Sequence, residues 1–314
     1  MRPVIIAHRG ASGHLPEHTL AGKTLAYAMG ADYLEQDVVA TRDDKLIVLH
    51  DIHLDRVTDV ARCFPARARA DGRFYARDFD LAEIETLRVH ERTDAEGNRV
   101  YAGRFQSAGE DFRVHTLERE LQLVVDLREN GGRSVGIYPE IKHPAWHRAE
   151  GVDITELLLE LLARHGYTAH GDHIYLQCFD EQELRRIRHE FGSKLKLVQL
   201  IGEDDWSTEL TNFAGMRTQR GMKRLARTVD AVGPWLDRLY RHRAKDGQIN
   251  SSGLVARAHN AGLAVHPYTF RADDLPRGFA SFDELIRFSA RELLVDGLFT
   301  DFPGAVSQLL RRIF

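Results

Sequence analysis

Short apolar runs rich in β-branched residues alternate along this chain with longer stretches in which apolar residues recur every three or four positions. The short runs fall at 3–8, 33–39, 135–142, 173–179, 196–201, 229–234, 263–269 and 295–301. The helical pattern falls at about 19–30, 116–130, 153–165, 180–191, 216–228, 251–261, 281–293 and 304–313. Strands that are apolar on both faces, each followed by a helix, read as parallel β/α units, because only a sheet covered by helices buries both faces. Eight such units predict an α/β fold closed as a (β/α)8 barrel.

One run breaks the alternation. Residues 46–50 follow the second strand after only five intervening residues, 41–45. A parallel crossover needs a dozen or more, so this run is predicted to return antiparallel as a hairpin and to bring His50 beside Asp37. The polar, Arg-, Asp- and Gly-rich stretch at about 51–113 then reads as an inserted subdomain or lid at the barrel mouth, within a single domain spanning 1–314.

Composition narrows the function. Forty-three per cent hydrophobic content over 314 residues supports one large core, and a net charge of -4 gives no overall field for nucleic acid or an anionic membrane. Cys63 and Cys178 have neither metal-ligand nor disulfide-framework spacing. No apolar run is long enough for a membrane span, and no signal-peptide core opens the sequence, so a soluble protein without an export signal is expected.

Charges inside buried strands need a reason. Glu35 and Asp37 lie two apart late in the second strand, hence on one face, and Glu140 and Lys142 repeat the arrangement in the third. His8 and Arg9 end the first strand, and the hairpin delivers His50. All converge on the carboxyl-end face of the barrel, where such folds place active sites. Two readings of the carboxylates remain open on the pattern: an all-oxygen site for calcium or magnesium, or a salt-bridge network with Arg9 and Lys142. Arginine and lysine also suit an anionic phosphoryl group, and the paired histidines suit general acid and base. His14, His18, His53 and His266 lack such company and read as surface or packing residues, His18 being a candidate for the pocket rim. Among aromatics near strand ends, Phe179 and Tyr268 are taken as substrate contacts, while Trp206, Trp235 and Phe302 read equally as rim packing.

The strings H-R-G at 8–10, P-E-H-T at 16–19, E-x-D at 35–37, H-D at 50–51, E-I-K at 140–142 and T-D-F-P at 300–303 together resemble the glycerophosphodiester phosphodiesterases. The resemblance runs nearly end to end and extends to D-R-V-T-D-V at 55–60, D-F-R-V-H-T at 111–116, Y-L-Q-C-F at 175–179 and V-H-P-Y-T at 265–269, which are similar to the bacterial periplasmic type. It implies a TIM barrel that hydrolyses glycerophosphodiesters, such as glycerophosphocholine, to glycerol 3-phosphate and an alcohol. Carried over by position, Glu35, Asp37 and Glu140 match metal ligands, His8 and His50 the catalytic pair, and Arg9 and Lys142 groups around the phosphate. The cofactor implied is one divalent cation, Ca2+ favoured and Mg2+ the alternative. The partner implied is a small-molecule glycerophosphodiester, with no nucleic acid, no membrane span and no defined oligomer.

The resemblance implies a periplasmic location, and a leaderless natural chain would be cytoplasmic. Where His18 and Cys178 stand, the family commonly has asparagine and serine. In the family the adjacent glycerol hydroxyl attacks first, giving a cyclic phosphate that water opens, with His8 favoured as base and His50 as acid. The rivals are a phospholipase or sphingomyelinase D-like phosphodiester lyase, a two-carboxylate glycosidase, which leaves the histidines and cations unexplained, and a non-catalytic binding protein on the same fold.

Overall fold

The computed structural model describes residues 2–105, 111–206, 211–241 and 249–314, so the part of the insertion at 106–110 lies outside the described residues. Its strands, in chain order, are β1 (Val4–Ala7), β2 (Tyr33–Ala40), β3 (Leu46–Val48), β4 (Gly136–Ile141), β5 (Tyr175–Cys178), β6 (Lys196–Ile201), β7 (Ala231–Pro234), β8 (Tyr240–Arg241), β9 (Asn250–Ser251), β10 (Ala264–Val265) and β11 (Gly297–Thr300). Eight of them run parallel in the order β10-β7-β6-β5-β4-β2-β1-β11. The two ends of that order meet through Asp296 N–H to Val265 O at 2.9 Å and Phe270 N–H to Phe299 O at 2.8 Å, which nearly closes the barrel.

The two-residue period of a strand decides what each side chain does. On the outward positions Ile5, Leu34, Val38, Ile137, Leu176, Leu197, Val232 and Leu298 join the main hydrophobic cluster under the helices. On the inward positions Ile6, Tyr33, Tyr138, Val198, Ala231 and Phe299 fill the barrel interior as a separate cluster. Gly136 makes room there, since a Cβ at its position would lie 2.3 Å from the Tyr33 ring. Two residues further along β1, β2, β4 and β11 the inward series turns polar, at His8, Glu35, Glu140 and Asp301, and that change marks the floor of the site.

The hairpin forms as expected: β3 pairs antiparallel with β2, Val38 opposite Val48, and Leu49 N–H donates to Asp37 O at 2.9 Å. Beyond it the insertion packs Leu54, Val57, Val60, Phe74, Phe79, Ile84, Leu87 and Val89 against Val39 and Ile47 of the hairpin. Ion pairs fasten it to the rest of the chain, among them Arg69 to Glu150 at 2.8 Å and Arg92 to Glu17 at 2.7 Å.

Two predicted elements come out differently. The helix expected at 216–228 is divided into Phe213–Met216 and Gln219–Leu225, because the Thr218 hydroxyl accepts from Gly221 N–H and starts a new helix there. The strand expected at 263–269 is regular only over Ala264–Val265; Pro267 has no N–H to give, and beyond it the chain keeps contact with its neighbours through single bonds such as Tyr268 N–H to Pro234 O at 3.2 Å. No helix among the described residues is long and apolar enough to cross a membrane.

Candidate active site

The inward positions at the strand ends open into a cavity of about 230 Å³ lined by His8, Arg9, Glu35, Asp37, Glu140 and Lys142, with His50 entering from the hairpin. Local geometry explains the first of these. Arg9 and Gly10 take left-handed backbone angles, φ 59° and 88°, just after β1. A Cβ at Gly10 would meet the Gly22 backbone at 3.0 Å, so only glycine lets the turn pass the first helix. The turn is tied down by Arg9 N–H donating to Glu35 Oε2 at 2.6 Å.

The two histidines share one arrangement. His8 Nδ1 lies 2.6 Å from Asp301 Oδ1, and His50 Nδ1 lies 2.6 Å from Asp51 Oδ1. Each aspartate is anchored in turn: Asp301 by Arg104 at 2.7 Å and Arg271 at 2.8 Å, Asp51 by Arg92 at 2.6 Å. Burial favours the neutral acid, yet Arg271 and His8 hold Asp301, and His50 and Arg92 hold Asp51, well below the usual carboxylate range. The histidines move the same way for the opposite reason. Burial and the nearby Arg9 lower His8 to about 4; burial, Arg9 and Lys142 lower His50 to about 3. A neutral imidazole beside an ionised carboxylate keeps its proton on Nδ1, which leaves Nε2 bare.

The carboxylates crowd. Register sets Asp37 of β2 directly beside Glu140 of β4, and Glu35 and Asp37 are each 1% exposed. Burial and the Asp37 charge push Glu35 well above its ordinary pKa, and burial raises Glu140 to about 7 against the pull of Lys142. Against burial, Lys142 and His50 hold Asp37 well below its own. Lys142 Nζ lies 2.8 Å from Glu140 Oε1 and 3.4 Å from Asp37 Oδ1, and Arg9 Nε lies 3.4 Å from Asp37 Oδ2. Burial and the neighbouring carboxylates outweigh these cations at Glu35 and Glu140, whose pKa values stay raised. Buried oxygen donors still short of positive charge are what a hard divalent ion requires, so the donor set fits one.

His18 is not at the rim. It is buried, with Nε2 2.8 Å from Asp37 Oδ2, and its Nδ1 has no partner. Ligand atoms of His18, Glu35 and Asp37 lie within 4.8 Å of one another, which makes this trio the tightest acidic and histidine group among the described residues. Its neighbour Glu17 accepts from Arg9 at 2.9 Å and Arg92 at 2.7 Å. The P-E-H-T string carried both Glu17 and His18, but nothing local to it says that a left-handed turn at His18, φ 58°, folds the ring inward.

Phe179 and Tyr268 line the cavity, their rings 5.9 Å apart edge to face, and Trp206 and Trp235 continue that wall with rings 4.9 Å apart. Phe302 packs instead against His14, away from the cavity. Sequence reasoning named no role for Asp51, Asp301, Arg92, Arg104 or Arg271. The first two sat inside the H-D and T-D-F-P strings, where an acid beside a histidine was a usable signal; the arginines had none.

Residues 8–305 match the Glycerophosphoryl diester phosphodiesterase family. The chain is 40% identical over 328 residues to a glycerophosphodiester phosphodiesterase of Haemophilus influenzae, covering 99% of this chain and 90% of that protein. It is 39% identical to one of Treponema pallidum, covering 96% and 89%. Among solved structures, it is similar to a putative glycerophosphoryl diester phosphodiesterase of Silicibacter pomeroyi, with a TM-score of 0.73, 23% identity and coverage of 99% and 94%. It is also similar to an Oleispira antarctica phosphodiesterase in complex with the product sn-glycerol-3-phosphate, with a TM-score of 0.64, 19% identity and coverage of 99% and 97%.

Proposed function

The chain belongs to the glycerophosphoryl diester phosphodiesterase family and is a glycerophosphodiester phosphodiesterase, and on that premise we propose that His8 and His50 hydrolyse small glycerophosphodiesters such as glycerophosphocholine. The products are sn-glycerol 3-phosphate and an alcohol. The observation that carries this reading is the pair of imidazoles, each held through Nδ1 by an aspartate at 2.6 Å, facing one cavity floored by Glu35, Asp37 and Glu140. The product named for the Oleispira antarctica structure supports the assignment of glycerol 3-phosphate.

His8, as base, takes the proton of the adjacent glycerol hydroxyl on its free Nε2 while that oxygen forms a bond to phosphorus. The bond from phosphorus to the departing alcohol breaks, and His50 gives that oxygen a proton. Water then opens the resulting cyclic phosphate with the two roles exchanged. An incoming phosphodiester anion offsets Arg9 and Lys142, two of the influences that keep His50 neutral, so binding itself favours the protonated form an acid needs. Arg9 and Lys142 share the charge that builds on the phosphoryl oxygens. Asp301 and Asp51 hold the tautomer and the ring orientation.

Glu35 and Asp37, with His18 beside them and Glu140 next to Asp37 on the neighbouring strand, would hold one divalent cation, Ca2+ before Mg2+, which would supply Lewis-acid polarisation of a phosphoryl oxygen. Phe179 and Tyr268 offer an apolar surface for the glycerol carbons. The deciding experiment is a coupled assay for sn-glycerol 3-phosphate release from glycerophosphocholine. Release at enzymic rates is expected. Accumulation of the cyclic phosphate as the final product would favour the lyase instead, and no cleavage would leave a binding protein.

A further inference from the structure

His8, Arg9, His50 and Arg271 face the central cavity and also form one wall of a second chamber of about 170 Å³. Arg92 and Arg104 line that chamber as well, and every nitrogen of their guanidinium groups is engaged. Arg92 donates from Nε and Nη2 to Glu17 and from Nη1 to Asp51, at 2.6 to 3.0 Å. Arg104 donates from Nε and Nη2 to Asp273, from Nη2 to Asp301 as well, and from Nη1 to Ser12 O.

Arg271 differs. Its hydrogen bond runs from Nε to Asp301 Oδ2 at 2.8 Å, and its two terminal amino groups have no partner among the described residues. The side chain is 23% exposed, and those amino groups stay open to solvent. The backbone just before it is fixed, since Phe270 N–H donates to Phe299 O at 2.8 Å and the Thr300 hydroxyl donates to Phe270 O at 2.9 Å. The guanidinium lies 5.5 Å from the centre of the Tyr101 ring, a contact that steadies it and uses no donor. Asp301 meets His8 Nδ1 with one oxygen and Arg271 Nε with the other, so a single carboxylate sets the imidazole and the guanidinium side by side. A planar fork with its outer donors free, next to a histidine that acts on the phosphodiester, matches the oxygens of a phosphoryl group. We propose that Arg271 is a third phosphoryl-binding residue, whose terminal amino groups take nonbridging oxygen of the substrate beside Arg9 and Lys142.

This inference rests on the phosphodiesterase reading, and the test separates the two. The metal-loaded wild type, Arg271→Met and Arg271→Lys are assayed on glycerophosphocholine, with sn-glycerol 3-phosphate and glycerol as competing ligands. Arg271→Met is expected to lower kcat/KM by about tenfold to a hundredfold and to weaken inhibition by sn-glycerol 3-phosphate about tenfold, leaving inhibition by glycerol unchanged. Arg271→Lys, which keeps the charge without the fork, should recover part of the loss. Were Arg271 only an anchor for Asp301, kcat would fall with both inhibition constants unmoved; that result, or equal weakening of both, would overturn the assignment. The wild type supplies a second measurement, independent of how the variants fold. Phenylglyoxal is expected to modify Arg271, and sn-glycerol 3-phosphate, but not glycerol, to protect it; no modification, or no protection, would overturn the assignment as well. A wild type that releases no sn-glycerol 3-phosphate would sink the phosphodiesterase reading and this inference with it.

Discussion

A histidine's task here is set by what lies behind it. His8 and His50 differ in sequence context, yet each carries an aspartate on Nδ1 and a free Nε2. Removing either ring by alanine substitution is expected to cut turnover by about two to four orders of magnitude while leaving a folded protein. Near-normal turnover with unchanged circular dichroism would remove that residue from the mechanism. The aspartates act through the rings, so Asp51→Asn should lower kcat by about two orders of magnitude with little change in KM, since asparagine no longer fixes the Nδ1–H tautomer. Equal changes in both constants would point to a disturbed pocket. A third kind of residue is invisible without the fold: Lys23 is 0% exposed and reaches Glu120 at 2.8 Å and the Glu35 carbonyl. Nothing around it in sequence distinguishes it from a surface lysine.

At the scale of elements, the hairpin and the segment after it complete what the barrel alone lacks. β3 carries His50 to Asp37, and Arg92 from the insertion ties Asp51 to Glu17 of the loop after β1. That arginine is one of the clamps between the two parts, beside Arg69 on Glu150 and Arg104 on Asp301, and its side chain is 15% exposed. Arg92→Ala is expected to cost on the order of 3 kcal/mol, because two largely buried carboxylates lose a partner, and to speed proteolytic cutting within 51–113. Urea unfolding and timed trypsin digestion measure both. An unchanged midpoint and cutting rate would mean that the apolar cluster of the insertion holds it without the clamp. The hairpin was legible because five residues are too few for a crossover; the clamp was not, since Glu17, Asp51 and Arg92 come from three separate stretches.

The whole molecule buries more ionisable groups than its near-neutral composition suggests, and two solution properties follow. In the metal-free protein, burial lowers six histidines, His8, His18, His50, His143, His147 and His266, to about 3 or 4. Their folded pKa values lie below the unfolded one, so the stability they allow is present above pH 6.5 and is lost as pH falls toward 4. Glu35, Glu91 and Glu140 are raised and pull the other way, but they are outnumbered. The chelated protein is therefore expected to lose stability by a few kcal/mol per pH unit between pH 6 and 5, read from urea midpoints; a flat profile would show that the histidines gain water or partners. A divalent ion should raise the melting temperature by ligand linkage and be required for turnover. The Glu35→Gln, Asp37→Asn double variant should lose both effects with far-UV circular dichroism unchanged. Full activity of the verified metal-free enzyme would make the carboxylates partners of Arg9 and Lys142 only.

By itself the sequence determined the barrel, the hairpin and the face that carries the candidate site, because strand period, crossover length and the placing of charges within apolar runs are read from positions close together in the chain. It also supplied His8, Arg9, Glu35, Asp37, His50, Glu140 and Lys142, each at or near the end of a predicted strand. Only the tertiary structure decided that His18 lies against Asp37 rather than at the rim, that Arg104 and Arg271 anchor Asp301, and that Arg271 also faces a second chamber. These are contacts between segments far apart in the chain, and their polarity carries no period. A buried arginine or glutamate is spelled like an exposed one until the partner that neutralises it, or the lack of one, is fixed by the closure of the barrel.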